Sequence, residues 1–89
     1  MLPVRPTNQF RKDLKRAERQ GRDLEKVRRV LEKLAVPEPL PPKFRDHKLK
    51  WEWRDFRECH LEPDWLLIYT ITDFELRPTR LGSHTELFD

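Results

Sequence analysis

Cysteine is almost absent from this 89-residue chain. Cys59 stands alone, which excludes an internal disulfide and fits a reducing compartment. Long apolar runs are missing too. No stretch approaches the roughly 18 apolar residues of a membrane span. The opening MLPVRPTNQF lacks an apolar signal region, so a cytoplasmic protein with no membrane association is expected. Glycine occurs only twice, as Gly21 and Gly82, each where an element is expected to end. Hydrophobic residues are 36% of the chain against 39% charged, a balance that would suit a disordered segment. Three Trp, five Phe and one clear apolar strand argue against disorder, because they can anchor a core. The length allows one domain, residues 1–89, with one modest core.

What is present is organised around Trp65-Leu66-Leu67-Ile68-Tyr69-Thr70-Ile71, the one continuous apolar segment. Seven residues between the turn signals Pro63-Asp64 and Thr72-Asp73 read as a strand buried on both faces. Ahead of it, Leu2-Pro3-Val4-Arg5 suits a short edge strand. Thr7 is a plausible N-cap for a helix over about Asn8–Gln20, with Phe10, Leu14 and Ala17 as a thin apolar stripe among charged residues. Gly21 suits the left-handed position that closes a helix. Asp23 can cap a second helix over about Leu24–Ala35, whose apolar face is Leu24, Val27, Leu31 and Leu34, widened by Val30. The short turn between the two makes them an antiparallel hairpin that must pack on something apolar, and the later sheet is the candidate.

Pro37, Pro39, Pro41 and Pro42 read as a stiff extended spacer. The basic stretch Lys43–Lys50 reads as a loop. Alternation then predicts a strand over Trp51–Leu61, with Cys59 and His60 on opposite faces. A turn at Leu61–Asp64 leads into the apolar strand. A third strand over Phe74–Leu81 contains Pro78, which places it at an edge. His84–Phe88 is a short tail or a single helical turn. The expected fold is α+β, in the order β-α-α-β-β-β, an N-terminal strand and helical hairpin on a small antiparallel sheet.

Charge is unevenly divided. Residues 1–36 carry 11 Lys+Arg against 5 Asp+Glu, and residues 37–89 carry 8 against 11. The basic half points to an acidic or polyanionic partner. The titratable candidates lie in the other half: His47, His60, Asp64, Arg80 and His84. Histidine suits proton transfer near neutral pH, and arginine offers a fork for phosphate oxygens. Lys48 and Arg57 are candidate substrate contacts, with a strand carboxylate as the alternative partner for Arg57. Phe88 is an exposed aromatic that could stack on a base. A metal held by His47, His60, His84 and Asp64 is chemically feasible. The chain nevertheless lacks a close-spaced ligand pair of the usual kind, so neither metal nor cofactor is expected.

The series Asp46-His47-Lys-Leu49, Trp53-Arg-Asp-Phe56-Arg57, His60-Leu-Glu-Pro-Asp64-Trp65, Thr72-Asp73 and Arg80-Leu-Gly82-Ser-His84-Thr-Glu-Leu-Phe88 resembles the YafQ-type toxins of the RelE superfamily. Those are bacterial toxin–antitoxin ribonucleases that cut mRNA on the ribosome. The resemblance implies that His47, His60, Asp64 and His84 form an acid–base cluster, that Arg80 stabilises phosphate, and that Phe88 lies near the nucleotides. It also implies a monomeric toxin whose partners are mRNA, the ribosome and a cognate antitoxin, with which it forms a larger assembly. Trp51 departs from the pattern, standing where the related toxins usually have glycine. Asp55 replaces another small residue, and Phe56 is often tyrosine. RNA carries its own nucleophile, so the expected chemistry is deprotonation of the 2′-OH, charge stabilisation, and protonation of the leaving 5′ oxygen. His84 is the expected acid, with His60 and Asp64 as the base pair and His47 as a phosphate or base contact. A non-catalytic RNA- or ribosome-binding module, and a same-fold toxin aimed at a protein such as gyrase, stay open as alternatives.

Overall fold

The computed structural model describes residues 1–36 and 38–88. Its first two helices follow from local capping. The Thr7 hydroxyl accepts the Phe10 N–H at 3.0 Å and starts α1 (Asn8–Arg19). Gly21, at φ +76°, turns the chain where a Cβ would be strained. The Asp23 carboxylate then accepts the Glu25 N–H at 3.0 Å and starts α2 (Leu24–Ala35). Glu25, Arg28, Arg29 and Glu32 pair along the outer face of α2.

The sheet has four strands in the order β1-β2-β3-β4, all antiparallel: β1 (His47–Lys48), β2 (Arg57–Glu62), β3 (Trp65–Ile71) and β4 (Leu76–Gly82). A short helix, α3 (His84–Phe88), follows directly. This is the expected α+β architecture with three local corrections. The stretch Lys43–Lys50 is not simply a loop, because His47 and Lys48 pair with Glu58 and Arg57. Two paired residues are too few to show alternation.

The second correction is that the strand expected from Trp51 begins only at Arg57. Trp51 lies at φ +57°, outside the extended region, and opens a 3-10 turn over Trp51–Trp53. That turn folds the chain back so that the Leu49 N–H reaches the Phe56 carbonyl. The third correction is at the N-terminus, where the expected strand is reduced to one parallel bridge, Val4 with Leu76. That segment lies along the outer edge of β4, and the Thr7 N–H donates to the Pro78 carbonyl. Pro78, having no N–H, sits on an edge where none is needed. Of the proline-rich connector, Pro42 opens a 3-10 turn over Pro42–Phe44, and Pro37 lies outside the described residues.

β3 is buried on both faces, as its composition requires. Trp65, Leu67 and Tyr69 face the helices, where they meet Phe10, Ala17, Val27, Val30 and Leu34. Leu66 and Ile68 face the other way, into a smaller cluster with Leu87, Leu49, Trp53 and Phe56. The second cluster is what holds α3 and the Trp51–Trp53 turn against the sheet.

One residue contradicts the polar reading of α1. Asp13, one of the charged residues flanking the apolar stripe, is 1% exposed. Its Oδ2 accepts the Leu81 N–H and the Arg80 Nε–H, both at 2.9 Å, while Gln9 and Arg16 approach Oδ1 at 3.1 and 3.5 Å. A buried carboxylate satisfied in this way ties the helix layer to the edge strand. Its removal would leave a partly buried guanidinium and a backbone N–H without their acceptor. Asp13→Ala is therefore expected to cost about 2–4 kcal/mol, read as a lower denaturant midpoint at unchanged slope. A loss within about 0.5 kcal/mol would show that the carboxylate does not fasten α1 to β4.

Candidate active site

Strand register decides which side chains meet. His47 pairs with Glu58, Glu58 with Ile68, and Ile68 with Arg80, so these four form one cross-strand row, in which His47, Glu58 and Ile68 lie on the face away from α1 and α2 and Arg80, on the edge strand, reaches back to Asp13 of α1. The adjacent row on that face is His60, Leu66 and Gly82. The Pro63-Asp64 turn lies beside the start of α3, which brings Asp64 to His84. His47, His60, Asp64, His84 and Phe88 are thereby gathered on one side of the sheet. Lys48 and Arg57 are not: they occupy the alternate positions of β1 and β2, facing the other way. Arg57 is taken up by Asp46 at 3.3 Å, and Asp46 also accepts the Tyr69 hydroxyl at 2.6 Å.

The rings form a continuous line. Centroids are 6.2 Å apart for His47 and His60, 6.1 Å for His60 and His84, 6.4 Å for His84 and Phe88, and 6.0 Å for Phe88 and Trp53. His47 directs Nδ1 at the Arg45 carbonyl, 2.7 Å away. Arg80 holds Asp13 through Nε alone among the described residues, so its terminal nitrogens remain for a ligand.

The pairing of acids with imidazoles differs from the expectation. Asp64 does not pair with His60. Its Oδ1 accepts the His84 N–H at 3.0 Å and lies 2.6 Å from His84 Nδ1. The two donors from His84, backbone first and ring second, hold the Asp64 carboxyl below its usual range. The carboxylate fixes the His84 tautomer with the proton on Nδ1 and leaves Nε2 for chemistry.

His60 has a different neighbour, Glu58, whose Oε1 is 3.5 Å from its Nε2. His60 is 7% exposed, and among the described residues its Nδ1 has no hydrogen-bond partner. Burial pushes its pKa down, with Glu58 opposing and Arg45, His47 and His84 adding to the fall. Glu58, 5% exposed, is the functional candidate that sequence reasoning missed. Its signal was parity: it stands two residues before His60 on a strand, hence on the same face. Glu58, His60 and His84 can each offer one ligand atom, all within 4.8 Å of one another. Two imidazoles and a carboxylate at that spacing fit a borderline divalent cation.

α3 is built to hold His84 and Phe88 in place. Ser83 and Glu86 form a reciprocal cap, with the Ser83 N–H donating to Glu86 Oε1 at 2.8 Å and the Glu86 N–H donating to Ser83 Oγ at 3.1 Å. The Ser-x-x-Glu spacing was visible in the sequence and marks a helix start. Glu86 also binds Gln20 at 2.9 Å and Arg16 at 3.3 Å, so α1 grips α3. Gly82 permits this approach. A Cβ there would lie 2.8 Å from the Arg16 guanidinium and 3.0 Å from Glu86 Oε1.

The profile of the family described as "Bacterial toxin of type II toxin-antitoxin system, YafQ" matches residues 2–89. The chain is 41% identical over 83 residues to the mRNA interferase toxin YafQ of Escherichia coli BL21-DE3, covering 92% of this chain and 90% of that one. Among solved structures, the E. coli DinJ-YafQ toxin-antitoxin complex contains a chain similar at TM-score 0.92 and 37% identity, with coverage of 99% and 98%. A metal-bound toxin from Helicobacter pylori is similar at TM-score 0.92 and 48% identity, with coverage of 99% and 100%.

The cap has a pH signature. The Ser83 N–H, then Gln20, hold the Glu86 carboxyl below its usual range, with Arg16 adding to the effect. A folded-state pKa below the unfolded value means that the unfolded chain binds more protons, so stability rises with pH in that window. The contribution is complete above about pH 5 and disappears as pH falls from about 4.3 through the depressed folded value. Glu86→Gln should lower stability at pH 7 by about 1 kcal/mol and flatten the fall between pH 5 and 3, measured by urea unfolding. An unchanged acid slope would exclude Glu86 as a contributor.

Proposed function

The chain belongs to the YafQ family of type II toxin–antitoxin toxins, and from that premise we propose that it is an endoribonuclease that cleaves mRNA on the bacterial ribosome without a metal cofactor. The arrangement that carries the reading is the pair His60 and His84: one buried imidazole held neutral, one exposed imidazole held by a carboxylate, 6.1 Å apart. His60, with its pKa pushed down, is the base that takes the 2′-OH proton. The freed O2′ attacks the adjacent phosphorus, and the terminal nitrogens of Arg80 meet the added negative charge. His84, its Nδ1 proton fixed by Asp64, gives the Nε2 proton of its imidazolium to the departing O5′. The products are a 2′,3′-cyclic phosphate and a 5′-hydroxyl.

Binding follows the charge distribution. Arg11, Lys12, Lys15 and Arg19 are exposed along α1. They offer an anion-binding face to ribosomal RNA or to an acidic segment of an antitoxin. The partner class follows from the family, whose E. coli member is seen bound to DinJ. The toxin acts where ribosomes are, in the cytoplasm. A pure binding module, or a toxin aimed at a protein target, has no use for a matched proton donor and acceptor.

The Glu58–His60–His84 cluster supports a second, subordinate reading, because a similar toxin is metal-bound. A divalent cation held there would occupy the imidazole lone pairs that proton transfer needs, and would switch the site off. Cleavage on ribosomes kept replete in magnesium should therefore survive a zinc-selective chelator. Loss of cleavage that zinc restores would make the metal part of the reaction.

The direct test of the acid is His84→Ala. The side chain is 55% exposed, so the change should cost at most about 1 kcal/mol of stability. Single-turnover cleavage should slow by roughly 10²–10⁴-fold, while antitoxin binding persists. Mapping mRNA 5′ ends after induction should show cuts for the wild type and none for the variant. A folded variant that cleaves within about threefold of wild type would remove His84 as the acid.

A further inference from the structure

Trp51 carries two costs and no evident structural return. Its backbone lies at φ +57°, the left-handed region that favours glycine. Its indole is 83% exposed, so burial offsets nothing. Strain of this kind persists at positions that a fold holds for a purpose.

The surroundings indicate the purpose. Trp51, Lys50, Glu52, Trp53 and Phe88 line one cleft of about 440 Å³, floored by Leu49 and Leu87. The cleft is the continuation of the ring line through His84, Phe88 and Trp53. It therefore adjoins the proposed acid, through Phe88. Two exposed aromatic faces suit a flat π system of any base. Lys50, exposed in the cleft lining, brings positive charge to the phosphates that an RNA strand carries. Glu52 adds an acceptor that base amino groups can reach.

We propose that this cleft is a nucleobase subsite: Trp51 stacks on the mRNA base next to the scissile phosphate, with Phe88 on the inner side and Glu52 reading the base edge. The proposal rests on the nuclease reading and specifies which part of the substrate the aromatic end of the site holds. Trp51 here is a specificity-determining contact, and the proton transfers belong to the histidines.

The test titrates toxin over mRNA-programmed ribosomes. Trp51→Ala should raise the toxin concentration for half-maximal single-turnover cleavage by about 10-fold, within the span expected for one stacked base. The rate at saturation should stay within about threefold, and the base preference at one position beside the cut should flatten. Trp51→Phe should restore most of the affinity. Trp51→Gly should weaken binding like alanine while unfolding at or above the wild-type temperature, because glycine relieves the left-handed strain. A change in half-maximal concentration below twofold, with the base preference intact, would overturn the proposal. So would lost antitoxin affinity with unaltered cleavage, which would make Trp51 a protein contact. Failure of the nuclease reading is separable, since the wild type would then leave mRNA uncut. In that case, quenching of indole emission by a short oligoribonucleotide still decides the matter. Quenching present in the wild type and lost in Trp51→Ala supports the subsite, and equal quenching in both overturns it.

Discussion

The architecture depends on a carboxylate taken out of water. Asp13 lies inside a helix whose other charged neighbours are mostly solvated, yet it receives a backbone N–H and a guanidinium from β4. Burying an ion is costly unless its hydrogen-bonding capacity is filled. That requirement fixes the relative position of α1 and β4 more narrowly than apolar contact between Phe10, Ala17 and the sheet would. β4 leads directly through Gly82 and Ser83 into α3, so the constraint is passed on to His84. Arg16 reinforces it by donating to the Leu81 carbonyl at 2.9 Å and reaching Glu86. The helical layer, although remote from the histidine face in the sheet stacking, thus sets the angle at which that face receives its last helix.

The candidate site divides its carboxylates by environment. Asp64 is exposed and holds His84 by two donors; Glu58 is buried and stands beside His60. Two imidazoles 6.1 Å apart therefore have different surroundings, one wet and tethered, the other dry with a nitrogen unpartnered among the described residues. That asymmetry separates a proton acceptor from a proton donor in a symmetric-looking pair of residues.

Much of this was legible in the sequence because it was local. The apolar run Trp65–Ile71, the caps Thr7 and Asp23, the left-handed Gly21 and the edge position of Pro78 each follow from a few neighbouring residues. What was hidden depends on partners far along the chain. Asp13 reads as one more charge on the helix until Arg80 and Leu81 arrive across 67 and 68 positions. The two residues of β1 are defined by their pairing with β2, and no pattern of two can announce itself. The strand expected from Trp51 failed at a single backbone angle that alternation ignores. His60 and Asp64 were expected as the base pair, and the turn brings Asp64 to His84 instead. The Ser83–Glu86 cap, by contrast, was local and readable.

Cys59 is fully buried between the sheet and the helices, and burial pushes its thiol pKa well above the ordinary range. It is the chain's one sulfhydryl. A thiol reagent can reach it only when the helical layer lifts from the sheet, since α3 and the Trp51 turn lie on the opposite face. Its alkylation rate under native conditions thus reports opening of the core between helices and sheet. A second cysteine placed on the surface would label first and alone, so a probe could be attached without first removing the native residue.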